Sequence, residues 1–200
     1  MTGVPFAILR HATTAWNQQR RLQGLTDTPL NETGEADARC WRLPAPADGW
    51  QRLSSPLQRA RRTAELLRPA AAITIDPALR EMSFGAWEGA TVAQLRATVG
   101  EMFLDAERRG LDFLPPGGES PRMVMARLKS WSARIAGQGI PVVAVSHKAA
   151  IRALFALATG WDMAGRPPEK LDWRCVHFFV ARGDGRVAVD RLNVPFERAP

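Results

Sequence analysis

The sequence predicts an α/β domain over residues 1–200, a three-layer sandwich in which helices flank a mostly parallel central sheet. Three observations support this fold class. Short apolar runs of strand length alternate along the chain with longer segments of helical periodicity, as in parallel α/β folds. A length of 200 residues fits one domain, and a hydrophobic content of 46% is enough for a buried core. Near the C-terminus, two apolar runs flank a glycine-containing turn, which predicts a closing hairpin.

The first predicted strand, Phe6 to Leu9, is a run of four apolar residues without the polar alternation of a half-exposed strand. After a polar loop, Asn31 or Thr33 is expected to cap a helix that runs to about Leu43. The prolines and the glycine of residues 44–49 then break the chain.

A second strand and helix follow, and a third strand comes after them. Arg52 to Ser55 is the predicted strand, and Arg59 falls in the first turn of the next helix. That helix places four apolar residues on one face: Leu57, Ala60, Ala64 and Leu67. Ala72 to Ile75 is the third predicted strand, and residues 91–109 have a loosely helical pattern.

The second half of the chain contains the clearest helix start, with Ser120 as N-cap and Pro121 at the first helical position. Its expected buried side is Val124, Leu128, Trp131 and Ile135. Ile140 to Val145 is a predicted buried strand, followed by a helix that buries Ile151, Leu154, Phe155 and Ala158. Trp173 to Ala181 and Val187 to Leu192 are the two strands of the predicted hairpin.

A net charge of +7 and a pI near 10.8 raise the question of a nucleic-acid partner. The basic residues are dispersed, however, in nothing longer than pairs such as Arg20-Arg21, and no nucleic-acid-binding motif is apparent. A positive field equally favours encounter with small anionic molecules. We therefore expect a small anionic substrate and no nucleic-acid partner.

Membrane and secretory features are also not apparent in the sequence. No run of about 18 apolar residues is present, and the N-terminus lacks a basic region followed by an apolar stretch. Cys40 and Cys175 match no metal or redox spacing and are expected to be free thiols. These features predict a cytoplasmic protein without a membrane partner, and they favour no particular oligomeric state.

Reactive side chains follow three of the predicted strands. Arg10 and His11 come directly after the first strand, His147 follows the strand that ends at Val145, and Arg59 lies at a third strand–helix junction. Ligands of open α/β sheets bind outside the carboxyl ends of the strands, so these groups would meet if their strands lie side by side in parallel. Guanidinium groups and helix N-termini suit phosphate oxygens, which makes a phosphate group the expected ligand.

Six short motifs extend this pattern along most of the chain. They are residues 10–17 (RHATTAWN), 21–24 (RLQG), 27–30 (DTPL), 54–60 (SSPLQRA), 81–85 (EMSFG) and 145–147 (VSH). In type and order they resemble the histidine phosphatase (phosphoglycerate mutase-like) superfamily, from residue 6 to about residue 155. The resemblance is to the phosphatase branch, which includes α-ribazole phosphatases and broad-specificity phosphatases.

The resemblance implies that His11 is the nucleophile, which attacks phosphorus to form a phosphohistidine. It implies that Glu81 is the acid that protonates the leaving oxygen and then the base that activates water. Arg10, Arg59 and His147 are implied to stabilise the phosphoryl group during catalysis. The implied substrate contacts are Asn17, Arg10, Arg59, His147, Gln23 and Gly24. Because cationic side chains take the place of a metal ion, the resemblance implies neither a metal nor another cofactor.

Two glycines of the family pattern are replaced here, by Ala12 after the first family histidine and by Lys148 after the second. An alanine forced to positive φ would be strained. Lys148 is expected to point to solvent rather than to the pocket rim. Thr13 stands where the family usually has an acidic residue or glutamine. None of these replacements removes a chemical group, so we expect an active enzyme.

Residues 86–121 are expected to build the leaving-group pocket, with Trp16 and Trp87 beside it. Possible rim contacts in that region are Asp105, Glu107, Arg108, Arg109 and Glu119. The remaining histidine, His177, lies in an apolar strand and is expected to be structural.

Three functions are compatible with this sequence. The first is a metal-independent phosphomonoester hydrolase that acts on a small phosphorylated metabolite. Mutases of the family carry an Arg-x-Tyr-Gly pattern after the acid and a longer middle insertion, whereas this chain has Met82-Ser-Phe-Gly85. The second, a phosphoglycerate mutase, is therefore the alternative. The third is a non-catalytic module that binds phosphorylated ligands, for which Ala12 is the main argument.

Overall fold

The computed structural model describes residues 3–67 and 72–198. Its strands are β1 (Val4–Arg10), β2 (Trp41–Arg42), β3 (Gln51–Ser54), β4 (Ile73–Ile75), β5 (Val142–Ser146), β6 (Cys175–Ala181), β7 (Val187–Pro195) and β8 (Glu197–Arg198). Its α-helices are α1 (Ala15–Gln18), α2 (Glu32–Cys40), α3 (Gln58–Leu67), α4 (Val92–Thr98), α5 (Glu101–Arg108), α6 (Pro121–Gln138) and α7 (Lys148–Thr159).

Six strands form one sheet in the order β4-β3-β5-β1-β6-β7. The first four run parallel, and β6 and β7 add an antiparallel hairpin at one side. The predicted fold class, a mostly parallel sheet with a closing C-terminal hairpin, is therefore confirmed. Because β5 lies between β1 and β3, the carboxyl ends of these three strands are neighbours at one edge.

Helices cover both faces of this sheet. On one face, Phe6 of β1 belongs to a core cluster with α6 and α7, and its ring lies 5.2 Å from that of Trp131 in an edge-on arrangement. On the other face, Ala7 of β1 packs with Ala60 and Ala64 of α3. Successive residues of β1 thus face opposite layers, which explains why this strand is apolar without alternation.

The predicted buried faces of the helices are largely confirmed. All four residues expected on the inner side of α6 are buried, namely Val124, Leu128, Trp131 and Ile135. Of the residues expected on the α3 and α7 faces, Leu57 and Ala158 are only half-buried. Leu57 precedes the first residue of α3, and Ala158 lies in the last turn of α7.

The boundary of α2 differs from the prediction. Asn31 caps the helix as expected, with its side chain accepting a hydrogen bond from the Gly34 N–H, but the helix ends at Cys40 rather than near Leu43. Trp41–Arg42 instead pairs with β8, and the Trp41 ring stacks on Phe196 at 4.3 Å. A partner from the far end of the chain therefore overrides the local helical signal.

Two further boundaries were also predicted imperfectly. Strand β5 begins at Val142 and not at Ile140, because Gly139 ends α6 with φ of 70° and Ile140 is left exposed. The loosely helical stretch 91–109 consists of two helices, α4 and α5. Gly100, with φ of 63°, separates them.

Both cysteines are free thiols, as expected, with Cys40 exposed and Cys175 half-buried. Across residues 3–67 and 72–198, no helix has both the length and the apolar character needed to cross a membrane.

Candidate active site

The candidate site lies where β1, β3 and β5 end. The His11 N–H donates to the Ser146 carbonyl at 2.9 Å, and the Ser55 N–H donates to the Val145 carbonyl at 3.0 Å. These backbone bonds continue the strand pairing by one residue and bring the next side chains together. The rings of His11 and His147 lie 5.1 Å apart, so the predicted meeting of these strand ends is confirmed.

His11 is buried in a form suited to nucleophilic attack. Its Nδ1 lies 2.7 Å from the carbonyl oxygen of Ala12, and because a carbonyl can only accept, Nδ1 carries the hydrogen. The proton-free Nε2 therefore holds the lone pair. Burial lowers the pKa of His11 well below its usual value, and repulsion from Arg10 and Arg59 lowers that pKa further. The imidazole is neutral at physiological pH.

His147 is hydrogen-bonded through Nε2, whereas His11 is hydrogen-bonded through Nδ1. Its Nε2 lies 2.7 Å from the Ser55 hydroxyl, whose oxygen also accepts the Leu57 N–H at 3.3 Å. Because that oxygen keeps a second lone pair, the Ser55 hydroxyl can either donate to Nε2 or accept from it, and the remaining ring nitrogen of His147 is Nδ1. That Nδ1 is buried without a partner among the described residues. Burial, then Arg59, His11 and Arg10, lower the pKa of His147 well below its usual value.

Arg59 is fully buried, and two of its guanidinium nitrogens bind backbone carbonyl groups. They donate to the carbonyls of Thr26 and Gly24 at 2.9 and 2.8 Å. The Nε atoms of Arg59 and Arg10 have no hydrogen-bond partner within the described part of the chain. Burial lowers the pKa of both guanidinium groups, and Glu81 opposes that shift. Two desolvated cations beside His11 create a strong site for an anion.

Gly24 supports Arg59 through its carbonyl and lies outside the lining of the cleft. Its φ is +54°, and a Cβ there would overlap the carboxylate of Glu88. That carboxylate accepts the N–H groups of Leu25 and Thr26, each at 2.9 Å, and so shapes the loop that holds Arg59.

The amides of Asn17 and Gln23 both line the cleft. The Asn17 side-chain oxygen accepts the Thr14 N–H at 3.1 Å, and Gln23 Oε1 accepts the hydroxyls of Thr14 and Thr28. With their oxygens engaged, both side chains keep their amide N–H groups available for an anion.

Glu81 is a buried loop residue whose side chain lines the cleft and reaches the N-terminus of α7. Its carboxylate accepts the N–H groups of Met82 at 2.9 Å, Ala150 at 3.0 Å and Ala149 at 3.3 Å. This places the predicted acid within the same cleft as His11 and both arginines.

The sequence did not predict Arg127 as a support of Glu81, or Glu119 as the partner of Arg127. Arg127 of α6 donates to the Glu81 backbone carbonyl at 2.9 Å and forms an ion pair with Glu119 at 3.3 Å. Glu119, expected at the rim, also accepts the Ser83 N–H and pairs with Arg80 at 2.7 Å. Arg127 lies far from Glu81 in sequence, so no local pattern could have identified it.

Ala12 and Lys148 replace two glycines of the family pattern, and the structure shows how each is accommodated. Ala12 is not among the described non-glycine residues with positive φ, so the strain considered for it does not arise. Its N–H donates to the Thr63 hydroxyl at 3.0 Å. Lys148 is exposed, as expected, and it also lines the cleft.

The cleft above these groups has a volume of about 1010 Å³. Its outer lining comes from residues 17–23, 82–84, 91–121 and 148–163, and includes the apolar side chains of Phe84, Phe103, Phe113 and Met163. Of the possible rim contacts, Glu107 lines the cleft, whereas Asp105, Arg108, Arg109 and Glu119 do not. Trp16 and Trp87 lie outside the lining. Trp87 packs beneath it on Phe103, with 5.0 Å between the rings.

His177 lies within β6 and outside the cleft lining. Its Nδ1 accepts the Asn193 N–H at 3.2 Å, and burial lowers its pKa to about 4. The described residues contain no group of three or more histidine, cysteine, aspartate or glutamate side chains arranged to hold a metal ion.

Comparison with known proteins identifies the family. Residues 6–194 match the sequence profile of the histidine phosphatase superfamily (branch 1). The chain belongs to this superfamily. The resemblance drawn from the six motifs is thereby confirmed.

Relatives of this superfamily member include differently named enzymes. A bifunctional protein of Mycobacterium tuberculosis is 37% identical over 78% of this chain, which spans only 44% of that protein. A 2,3-bisphosphoglycerate-dependent phosphoglycerate mutase of Methylobacterium radiotolerans is 33% identical over 80% of this chain and 81% of the mutase.

Solved structures of similar proteins have the same fold. A mycobacterial glucosyl-3-phosphoglycerate phosphatase is 28% identical with a TM-score of 0.79, covering 96% of this chain and 99% of that one. A putative α-ribazole-5′-phosphate phosphatase of Escherichia coli is 24% identical with a TM-score of 0.79, covering 96% of each chain.

Proposed function

We propose that residues 1–200 act as one domain that hydrolyses phosphomonoesters through a phosphohistidine on His11, without a metal or other cofactor. The observation that carries the proposal is the state of His11, a neutral imidazole with a free Nε2 beside two buried guanidinium groups. We propose a small phosphorylated metabolite as substrate, with neither nucleic acid nor membrane as partner, and the free thiols support a cytoplasmic location.

In the first step, His11 Nε2 attacks phosphorus in line with the ester oxygen. The new P–N bond forms as the P–O bond breaks, and Glu81 gives its proton to the departing oxygen. The ring then carries a positive charge, which the bond from Nδ1–H to the Ala12 carbonyl stabilises. Arg10 and Arg59 bind the phosphoryl oxygens, and we propose that His147 does so as well, with its ring proton on the unpartnered Nδ1.

In the second step, a water molecule attacks phosphorus and Glu81 takes its proton. The P–N bond breaks, the pair of electrons returns to Nε2, and inorganic phosphate leaves. His11 is neutral again and Glu81 is protonated for the next turnover. Asn17 and Gln23 supply uncharged donors to the phosphate through their amide groups.

Two alternatives have their own supporting observations. Mutase activity is favoured by the 33% identity to a phosphoglycerate mutase over 80% of the chain. It predicts that phosphoryl groups stay on product and are not released. A non-catalytic binding module was suggested by Ala12, and the absence of positive φ at Ala12 weakens that argument.

The test measures phosphate release from a panel of phosphomonoesters with a chelator present, for the wild type and His11→Ala. We expect release by the wild type alone, and an acid-labile phosphoenzyme in the wild type alone after rapid quench. His177→Gln, at a buried histidine outside the cleft, is the matched control and should keep the activity. Interconversion of phosphoglycerate isomers without phosphate release would instead establish a mutase. Full activity of His11→Ala would overturn the mechanism.

A further inference from the structure

The α7 wall of the cleft carries two cations that the proposed chemistry does not use. Lys148 and Arg152 both line the cleft, and their spacing of four residues puts them on one face of the helix. Each lies over an aromatic ring. Lys148 Nζ is 5.5 Å from the centre of the Trp173 ring, and the Arg152 guanidinium is 5.2 Å from that of Trp161. These contacts restrict the position of both charged groups, and the two tryptophans themselves lie outside the cleft lining.

Neither cation has an acidic partner within the described residues. Arginines elsewhere are commonly paired, as Arg96 is with Glu107, Arg122 with Asp112 and Arg134 with Asp76. By contrast, no described carboxylate lies within ion-pair distance of any cation lining the cleft, namely Arg10, Arg20, Arg21, Arg59, Lys148 and Arg152. The cleft therefore has a positive charge that an incoming anion can neutralise.

The two carboxylates that line the cleft are committed to other groups. Glu107 binds both nitrogens of Arg96, at 3.0 and 2.9 Å. Glu81 accepts three backbone N–H groups. Burial lowers the pKa of Lys148, repulsion from Arg10 and Arg152 lowers that pKa further, and Glu81 opposes the shift. An anion beside Lys148 would relieve this repulsion.

We propose that Lys148 and Arg152 form a second anion site, and that the substrate is a small phosphomonoester that carries another anionic group, a carboxylate or a phosphate. Lys148 and His11 line the same cleft, so one small molecule would carry both anionic groups. This inference rests on the proposed function, because it takes the pocket of His11 as the site of the phosphoryl group.

The experiment compares pairs of ligands that differ in the second charge. In the first pair, 3-phosphoglycerate has a carboxylate where glycerol 3-phosphate has a hydroxymethyl group. In the second pair, fructose 1,6-bisphosphate has a phosphate that fructose 6-phosphate lacks. Calorimetric titration into His11→Ala measures binding without turnover. We expect the doubly anionic member of at least one pair to bind about tenfold more tightly, the size of one charge-assisted hydrogen bond. The pair that shows the preference identifies the anionic group.

Lys148→Gln in the His11→Ala background should remove most of that preference. It should leave the affinity for glycerol 3-phosphate and fructose 6-phosphate, which lack the second anionic group, unchanged. Lys170→Gln, which removes the same charge from an exposed residue outside the cleft, should leave both affinities unchanged. Arg152→Gln should act like Lys148→Gln, while Arg152→Lys should keep the preference. Equal affinities within both pairs, or a preference that survives Lys148→Gln, would overturn the inference. Hydrolysis is measured separately, so failure of the proposed activity would not be confused with failure of the second anion site.

Discussion

The ends of β1 and β5 each place a histidine one residue beyond the strand, yet the two rings are held in different ways. His11 is bonded through Nδ1 to the carbonyl of its own neighbour Ala12, which leaves Nε2 free. His147 is bonded through Nε2 to a distant serine, Ser55, which leaves Nδ1 free. Both rings are neutral and buried, so the two histidines differ in which ring nitrogen is hydrogen-bonded. We therefore expect the two rings to play different parts in the proposed reaction.

The largest expected effect separates the two roles directly. His11→Ala should lower kcat by at least about 10⁴-fold, because a covalent step loses its nucleophile. His147→Ala should lower kcat by about 10²- to 10³-fold, the usual loss when one donor to the transition state is removed. Rapid-quench measurement of the phosphoenzyme distinguishes them, since it should still form, slowly, in His147→Ala. A loss in His147→Ala as large as that in His11→Ala would remove the distinction.

The pH dependence of stability compares the cleft histidines with His177. All three pKa values lie below the value near 6.5 expected in the unfolded chain, so the unfolded state binds more protons as the pH falls. The free energy of unfolding is therefore not reduced by these histidines above about pH 6.5. Below that pH it falls by about 1.4 kcal/mol per pH unit for each extra proton that the unfolded chain binds. Denaturant titrations between pH 7 and pH 5 measure this slope.

Adding inorganic phosphate should separate the effect of the two cleft histidines on the pH dependence of stability from that of His177. A bound anion beside His11 and His147 should raise their pKa values and flatten their part of the slope. His177 lies outside the cleft, so its contribution, measured as the difference from His177→Gln, should not respond to phosphate. A slope that is unchanged by saturating phosphate would contradict the placement of the two histidines around an anion site.

The smallest expected effect concerns the support of His147. Ser55→Ala removes the hydrogen-bond partner of His147 Nε2, so the ring loses the contact that orients it. We expect kcat to fall by about three- to tenfold, near the net value of one buried hydrogen bond. Ser130→Ala, at an exposed serine of α6, is the control and should leave kcat unchanged. No change in Ser55→Ala would show that packing alone orients His147.

Much of this site could be predicted because its parts are coded locally. Strand β1 and the Arg10-His11 pair after it are contiguous, as are β5 and His147, and the alternation of elements indicates parallel neighbours. Glu81 was identified only through the family motif, since a glutamate in a loop has no signal of its own. The sequence could not show that Lys148 lies over Trp173, because this contact joins segments distant in sequence.

The amino-acid sequence by itself determined the fold class, the strand ends that carry His11 and His147, and the family. These follow from apolar periodicity and from short motifs, which act over a few residues. Only the tertiary structure decided which ring nitrogen of each histidine is hydrogen-bonded, that Ala12 avoids positive φ, and that Arg127 of α6 binds the Glu81 backbone. The physical reason is that burial and hydrogen-bond partners come from residues far apart in the chain, and these set the protonation state and geometry on which the chemistry depends.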